Sequence, residues 1–222
     1  MADVTTLWTV ENPEYRRAET LGETMVDQSV SLLSWRRKVS ELYAAVRAAP
    51  DPEAAWNQWR AGRDQLFATH PDSPVPQSSF RGLRYRPYDS RFRFTVPVRS
   101  AEPVRLAVPT ATDGIVPFTR AGSVELPGLG TLDVWWLETY GGGIFLPVKD
   151  STCGETSYGG GRYLLDTVKG ADLGEEAGGL IIDFNFLYNP SCAYDARWGC
   201  PLPPAGNVLS AAIEAGEFDT QY

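Results

Sequence analysis

A chain of 222 residues, 43% of them hydrophobic and 22% charged, is long enough to bury one good-sized core and has the composition of a globular protein. Its net charge of −8 is concentrated in residues 101–222, where 6 Lys/Arg face 16 Asp/Glu, whereas residues 1–100 hold 14 against 12. An acidic body repels a phosphate backbone, and no run approaches the roughly 18 apolar residues of a membrane span, so neither nucleic acid nor a membrane is an expected partner.

The first residues, Met-Ala-Asp-Val-Thr-Thr-Leu-Trp, lack the basic start and apolar run of an export signal, which predicts a cytoplasmic address and three reduced cysteines. Residues 1 to about 28 show no sustained period and read as an irregular or partly helical lead-in. From Ser29 a helical period is clear: Leu32, Trp35, Val39, Leu42, Tyr43 and Val46 recur at spacings of three and four, with Arg36, Arg37, Lys38 and Glu41 on the other face. Ala48-Ala49-Pro50 ends this helix, because the residue before proline avoids the α region. Asp51 is a good N-cap for a second helix, Pro52 suits its first position, and Trp56, Trp59, Leu66 and Phe67 give it an apolar face that stops at His70-Pro71. Two helices so closely joined predict an antiparallel hairpin.

Beyond Pro71 the period changes. Asp72 to Ser79 is a polar connector, and Arg91 to Val96 alternates polar with apolar residues as a half-buried strand does. Val104 to Val108, Gly114 to Arg120, Gly122 to Leu126, Thr131 to Glu138, Ile144 to Val148, Arg162 to Thr167 and Gly179 to Phe184 read as further strands, separated by Gly- and Pro-bearing turns. Short strands about ten residues apart, with no helical pattern between them, argue for an antiparallel sheet protein. Seven Trp, ten Tyr and nine Phe favour such a core, or an aromatic-lined pocket. The predicted fold class is thus α+β: a lead-in (1–28), a helical hairpin (29–71) and an antiparallel β-barrel or sandwich body (72–222).

Two segments of the body can carry chemistry. In the first, a polar loop leaves a strand at Asp150 and re-enters one after Gly159, Gly160 and Gly161, followed by Arg162 and Tyr163. Glycines let backbone approach a ligand, and an arginine behind them can pair with a carboxylate or phosphate. The run lacks P-loop spacing, and the alternative is a glycine-rich bulge with Arg162 paired to a carboxylate of the body. In the second, Asp183, Asn185 and Leu187 would share one side of a strand, opposite Phe184, Phe186 and Tyr188. Asp and Asn on one face either line a polar pocket or tie down loops, the second role being common in turns such as Asn189-Pro190.

Cys192 and Cys200 enclose a seven-residue loop and can reach one another, but a reducing compartment argues against a disulfide. Neither the cysteine spacing nor the single His70 gives a zinc pattern, so no metal and no cofactor are expected. Cys153, in a polar loop, is the better candidate for a reactive thiol. His70 is the one side chain titrating near neutrality, and it either caps its helix or serves acid–base chemistry; a desolvated Asp150, Glu155 or Asp183 is the other choice of proton carrier. The catalytic candidates are therefore His70, Asp150, Tyr158, Arg162 and Asp183. The ligand-contact candidates are Gly159, Gly160, Gly161, Tyr163, Asn185, Tyr188 and Asn189.

Taken together, Trp35-Arg36-Arg37-Lys38-Val39, Leu66-Phe67…His70-Pro71-Asp72-Ser73-Pro74, Tyr85-Arg86-Pro87-Tyr88-Asp89, Gly143-Ile144-Phe145-Leu146-Pro147, Tyr158 to Leu164, Asp183 to Tyr194 and Cys200-Pro201 resemble a bacterial family known as domain of unknown function 1684. The resemblance covers roughly Leu32 to Glu217 and implies no established reaction, cofactor or ligand. Two departures stand out. Gly206-Asn207-Val208 replaces a usual Glu-Asn-Arg, and Thr152-Cys153-Gly154-Glu155 stands where a Thr-Ser-Gly type of sequence is typical.

Two functions fit this reading. One is a small-molecule site in the β body, either a binding pocket or a cofactor-independent enzyme, which requires the polar candidates to converge on a cavity. The other is a non-catalytic scaffold or interaction module whose hairpin offers Trp56 and Trp59 to a partner, with a homodimer compatible with it.

Overall fold

The computed structural model describes residues 13–110, 114–138 and 140–220; the lead-in reading for residues 1–12 lies outside them. Helix α1 (Pro13–Ala48) spans 36 residues and α2 (Pro52–Thr69) spans 18. α1 thus begins well before Ser29. Residues 24–30 are exposed, so burial writes no apolar stripe into that part of the sequence and periodicity cannot see it. The junction behaves as its residues require: the Asp51 carboxylate accepts the Glu53 N–H at 3.1 Å, and Pro52 opens α2. Trp35 meets Phe67 and His70 while Tyr43 meets Trp59, which sets the two helices antiparallel.

Strands β1 (Arg93–Val96), β2 (Arg105–Thr110), β3 (Gly114–Leu126), β4 (Gly130–Leu137), β5 (Gly143–Val148), β6 (Arg162–Asp166), β7 (Glu175–Glu176) and β8 (Gly179–Asp183) pair antiparallel in two sheets. The small sheet has the order β1-β8-β7 and the large one β2-β3-β4-β5-β6. The large sheet stays open, so the arrangement is sandwich-like and the barrel alternative is dropped. Closure would need the free edge of β6, and that edge is taken by Tyr188, whose backbone exchanges bonds of 2.9 and 3.0 Å with Tyr163.

Two further readings are corrected. The segments ending at Arg120 and starting at Gly122 are one strand, β3, with a register shift between them rather than a turn. The alternation expected from Asp183 to Tyr188 does not form: β8 ends at Asp183, and Phe184–Phe186 is a 3₁₀ turn whose Asn185 N–H is capped by the Asp183 carboxylate at 3.0 Å. Capping an adjacent turn competes with extended structure, as short acidic side chains commonly do.

The main core lies where one face of the large sheet (Val124, Leu132, Val134, Leu146, Leu164) meets the small sheet (Ile182), the Phe184–Phe186 turn and the hairpin (Tyr43, Trp56, Trp59). Trp135 and Phe145, alternating with those positions, belong to a second cluster with Phe118 and Tyr163. That face is covered by the chain from Tyr188 to Asn207. Tyr163 donates to the Pro201 carbonyl at 2.6 Å, and Trp135 Nε1 donates to Asn207 Oδ1 at 2.7 Å.

Both hairpin tryptophans are buried by the body of their own chain. Trp56 Nε1 donates to the Asn185 carbonyl at 2.9 Å, and Trp59 packs on Tyr43, Tyr85 and Phe186. Trp59 is therefore the joint between hairpin and body. Trp59→Ala is expected to cost about 3–5 kcal/mol of unfolding free energy, measured by denaturant titration; a loss below about 1 kcal/mol would show that the hairpin is not part of the cooperative unit.

Candidate functional site

Asp150 leaves β5 and Arg162 opens β6, and the loop between them folds back so that the two side chains pair at 2.8 Å with no exposed surface on either. A charge so placed needs full partnership. Arg162 also donates to the carbonyls of Ile213, Ala215 and Glu217, alternate residues of the C-terminal segment. Asp150 accepts the Thr152 N–H and hydroxyl at 2.9 and 2.7 Å and the Ile213 N–H at 3.2 Å. Burial pushes its carboxyl up, but Arg162 and Thr152 outweigh this and hold it below the usual carboxylate range. Gly161 is the tight point of the loop. Gly161 has φ +87°, and a Cβ on it would lie 2.7 Å from Pro203 Cγ and 2.9 Å from the Val148 carbonyl.

A second buried pair went unnoticed in the sequence. Arg63 donates to Glu217 at 2.8 Å and to Tyr85 Oη, Tyr194 Oη donates to Glu217, and the Asn189 N–H donates to it at 2.9 Å. The Arg63 guanidinium lies 4.6 Å from the Phe67 ring and 5.3 Å from that of Tyr188. Burial disfavours its charge, yet Glu217 and the two tyrosine oxygens hold it protonated. The available signal was Arg63 itself, a charge inside the apolar stripe Trp56, Trp59, Leu66 and Phe67; Glu217 carries no local signature.

Asp183 and Asn185 come together in a third cluster. Asn185 donates its side-chain amide to Asp183 Oδ1 at 2.7 Å and to the Asp89 carbonyl at 2.9 Å, and accepts the Asp89 N–H at 2.9 Å. Oδ2 of Asp183 is less committed, with Tyr88 Oη at 3.4 Å and Arg93 Nε at 3.9 Å. Burial raises the Asp183 carboxyl to about 6 against the opposing pull of Asn185 and Arg93. This residue lines a cleft of about 430 Å³ between the helix junction and the small sheet, walled by Val46, Pro50, Ala55, Leu173, Ile181 and Phe186, with Arg47, Arg93 and Glu176 also in its lining. A groove of about 380 Å³ beside Asp89, Phe94, Leu129 and Glu214 contains none of the sequence-predicted residues.

The remaining candidates are dispersed. His70 is buried at the end of α2, accepting the Asp72 N–H on Nδ1 at 3.2 Å, and burial lowers its pKa despite Asp72. Its imidazole lies against Trp35 and Asp72, neither of them a candidate. Tyr163 and Tyr188 are locked ring against ring, and Asn189 donates to the Phe218 carbonyl at 2.7 Å. Tyr158 donates to Cys192 at 3.7 Å, next to Cys200. Cys153 accepts the Asp150 N–H at 3.4 Å and the Ser157 hydroxyl at 3.6 Å. Among the described residues no group of three or more His, Cys, Asp or Glu side chains is placed to hold a metal, and no helix is long and apolar enough to cross a membrane.

A family model described as "Protein of unknown function (DUF1684)" matches residues 78–218. The chain belongs to this family. The matched stretch holds all the sheets and the C-terminal segment gripped by Arg162, and it begins after the hairpin. The chain is also similar to an uncharacterized protein of Haloarcula marismortui whose solution structure was determined by NMR: 31% identity, 77% of this chain and 96% of the other covered, TM-score 0.54. No curated protein matches. Within this DUF1684 chain the departure at Gly206-Asn207-Val208 has a local account. Asn207 is buried between Trp135 and the Asp133 carbonyl, and a Cβ on Gly206 would lie 2.0 Å from Asp133 Oδ2, so glycine leaves room for the Asp133 carboxylate that pairs with Arg120.

The Asp183 shift has a measurable consequence. The folded protein keeps this proton up to about pH 6, whereas an unfolded aspartate loses it near its ordinary value of 3.8. Stability contributed by the proton is complete below that lower value and is lost as pH rises through 6. Asp183→Asn stays neutral and escapes this loss, so its stability relative to wild type should improve by about 2 kcal/mol between pH 4.5 and 7.5 in denaturant titrations. A difference independent of pH would contradict the assignment.

Proposed function

We propose that this protein binds a small molecule in the cleft between the helix junction and the three-stranded sheet, with Asp183 as its polar anchor. The observation that carries the reading is the unequal use of the carboxylate of Asp183, a residue of the cleft lining: Oδ1 is consumed by Asn185, while Oδ2 has only long contacts to Tyr88 and Arg93. A buried acceptor with spare capacity favours a ligand that brings a donor to it. The walls favour a compact apolar body, which makes a small amine or an amino-acid-like molecule the fitting class. Three free thiols support a reducing, cytoplasmic address.

The proposal is for binding. Asp150 and Arg162, two of the catalytic candidates, are engaged with each other and with the C-terminal segment, and the His70 imidazole accepts the Asp72 N–H in the turn after its helix. The competing reading, a partner surface built on Trp56 and Trp59, loses its footing because both rings are buried.

A panel of small amines and amino acids, titrated with ligand-observed NMR, tests the site. A binder is expected to lose at least about tenfold in affinity, roughly 1.4 kcal/mol, in Asp183→Asn and in Ala49→Trp, which fills the cleft wall. For an amine, affinity should rise as pH rises through 6, when the Asp183 carboxylate ionises. A panel without binders, or binders indifferent to both substitutions, would remove this reading.

A further inference from the structure

The segment that covers the outer face of the large sheet, Tyr188 to Asn207, brings two cysteines side by side. The Cys192 N–H donates to Cys200 Sγ at 3.4 Å from the turn Ser191–Ala193, and Tyr158 Oη donates to Cys192 Sγ at 3.7 Å. Both cysteines are only partly buried. Cys200 packs against the aromatic cluster of Phe118, Trp135, Phe145 and Tyr163, but the hydrogen bonds that hold this segment down use other residues: Tyr194 is tied to Glu217, Pro201 to Tyr163 and Asn207 to Trp135.

We propose that Cys192 and Cys200 are a redox pair that closes reversibly into a disulfide on reaction with a hydroperoxide, Cys192 attacking and Cys200 resolving. In the first step the Cys192 thiolate attacks the near peroxide oxygen. An S–O bond forms and the O–O bond breaks; the leaving alkoxide or hydroxide takes a proton from water. Sulfur is oxidised by two electrons to a sulfenic acid and the peroxide is reduced by two. Cys200 sulfur then attacks Cys192 sulfur, the S–S bond forms, the S–O bond breaks, and the hydroxide leaves with the Cys200 proton as water. With hydrogen peroxide the balance is two thiols and one peroxide giving one disulfide and two waters.

The surroundings assign the two roles. The hydrogen bond from Cys200, and then that from Tyr158, bring the Cys192 thiol down to about 6 against the opposing effect of burial, while the same contact pushes Cys200 up. Thiolate character at neutral pH belongs to the attacking sulfur, as exchange chemistry requires. The charged groups that reach this cluster from neighbouring elements are Lys169, which acts on Cys200, and Asp219, which acts on Tyr158. Cys153 lacks such a pairing; its contacts are to Asp150 and Ser157. The disulfide would close a loop from 192 to 200 that carries the Tyr194 anchor and ends beside Pro201, leaving the aromatic cluster beneath it covered.

The test uses the full reduced chain treated with one equivalent of hydrogen peroxide, alkylated and mapped by mass spectrometry. The expected result is a loss of 2 Da in the peptides bearing Cys192 and Cys200, with Cys153 still alkylated, and reversal by dithiothreitol. Cys200→Ser should accumulate a dimedone adduct on Cys192. In unoxidised wild type, iodoacetamide alkylation of Cys192 should titrate near pH 6, and Tyr158→Phe should move that midpoint upward without preventing folding. Oxidation falling on Cys153 at an equal or greater rate, an intermolecular disulfide, or thiols at 192 and 200 no more reactive than free cysteine would overturn the proposal.

Discussion

A guanidinium with no exposed surface is the constraint on which the rest of this structure hangs. Arg162 is satisfied only if Asp150 turns inward from the end of β5 and if three carbonyls of the C-terminal segment line up beside it. That lining-up delivers Glu217 to a fixed place, where its side chain meets Arg63 of α2. Sheet, tail and helical hairpin are thereby joined by two buried ion pairs in series, one residue of the tail serving both. Such pairs add little net stability over apolar packing, but breaking either strands a buried charge at a cost of several kcal/mol. Their effect is to make alternative packings of the tail expensive, which is how a segment without regular structure beyond Asn207 stays in register.

Local physics explains how far the residues alone could be read. Strands β1, β2, β4, β5, β6 and β8 were legible because each is short, rich in apolar residues and set off by turn residues, and the hairpin because its stripe, cap and proline agree. What failed was whatever depends on distant partners. The first turns of α1 have no apolar stripe, and Arg120 to Gly122 looks like a turn until β4 is seen to pair on both sides of it. Phe184–Phe186 carries strand-like alternation, yet Asp183 caps it into a 3₁₀ turn and Trp56 holds its carbonyl from α2. Barrel closure hinged on which segment takes the edge of β6, and the answer, Tyr188, lies far along the chain.

The candidate residues divide on the same physical line. Asp150, Arg162 and Tyr163 were picked because polar and aromatic groups around glycines suggest a ligand, Asn185 and Asn189 because polar groups on a strand face and its turn do, and each has its main hydrogen-bonding groups engaged by the chain itself. The pattern was real and its cause was internal: a buried charge recruits the same residue types that a bound anion would. Asp183 Oδ2, with only long contacts, is distinguished by its residue's place in the cleft lining, which no residue pattern reports. The spacing of Cys192 and Cys200 was visible in the sequence, but contact between them depends on the turn at Ser191–Ala193.

Cleft and thiol pair are joined by one stretch of chain, from Asp183 to Cys192, and its bonding decides whether one can influence the other. Asn185 is fixed to Asp89 by both its amide and its oxygen, and its carbonyl is held by Trp56. Leu187 accepts the Glu217 N–H, Tyr188 is laddered to Tyr163, and Asn189 is bonded to Glu217 and Phe218. A stretch pinned at nearly every residue to a charge-locked frame has no second arrangement of comparable energy to move into, and coupling between sites requires one. Occupancy of the cleft and oxidation of the thiols are therefore separable events: the frame that makes most of the polar candidates structural also isolates the cleft from the thiol pair.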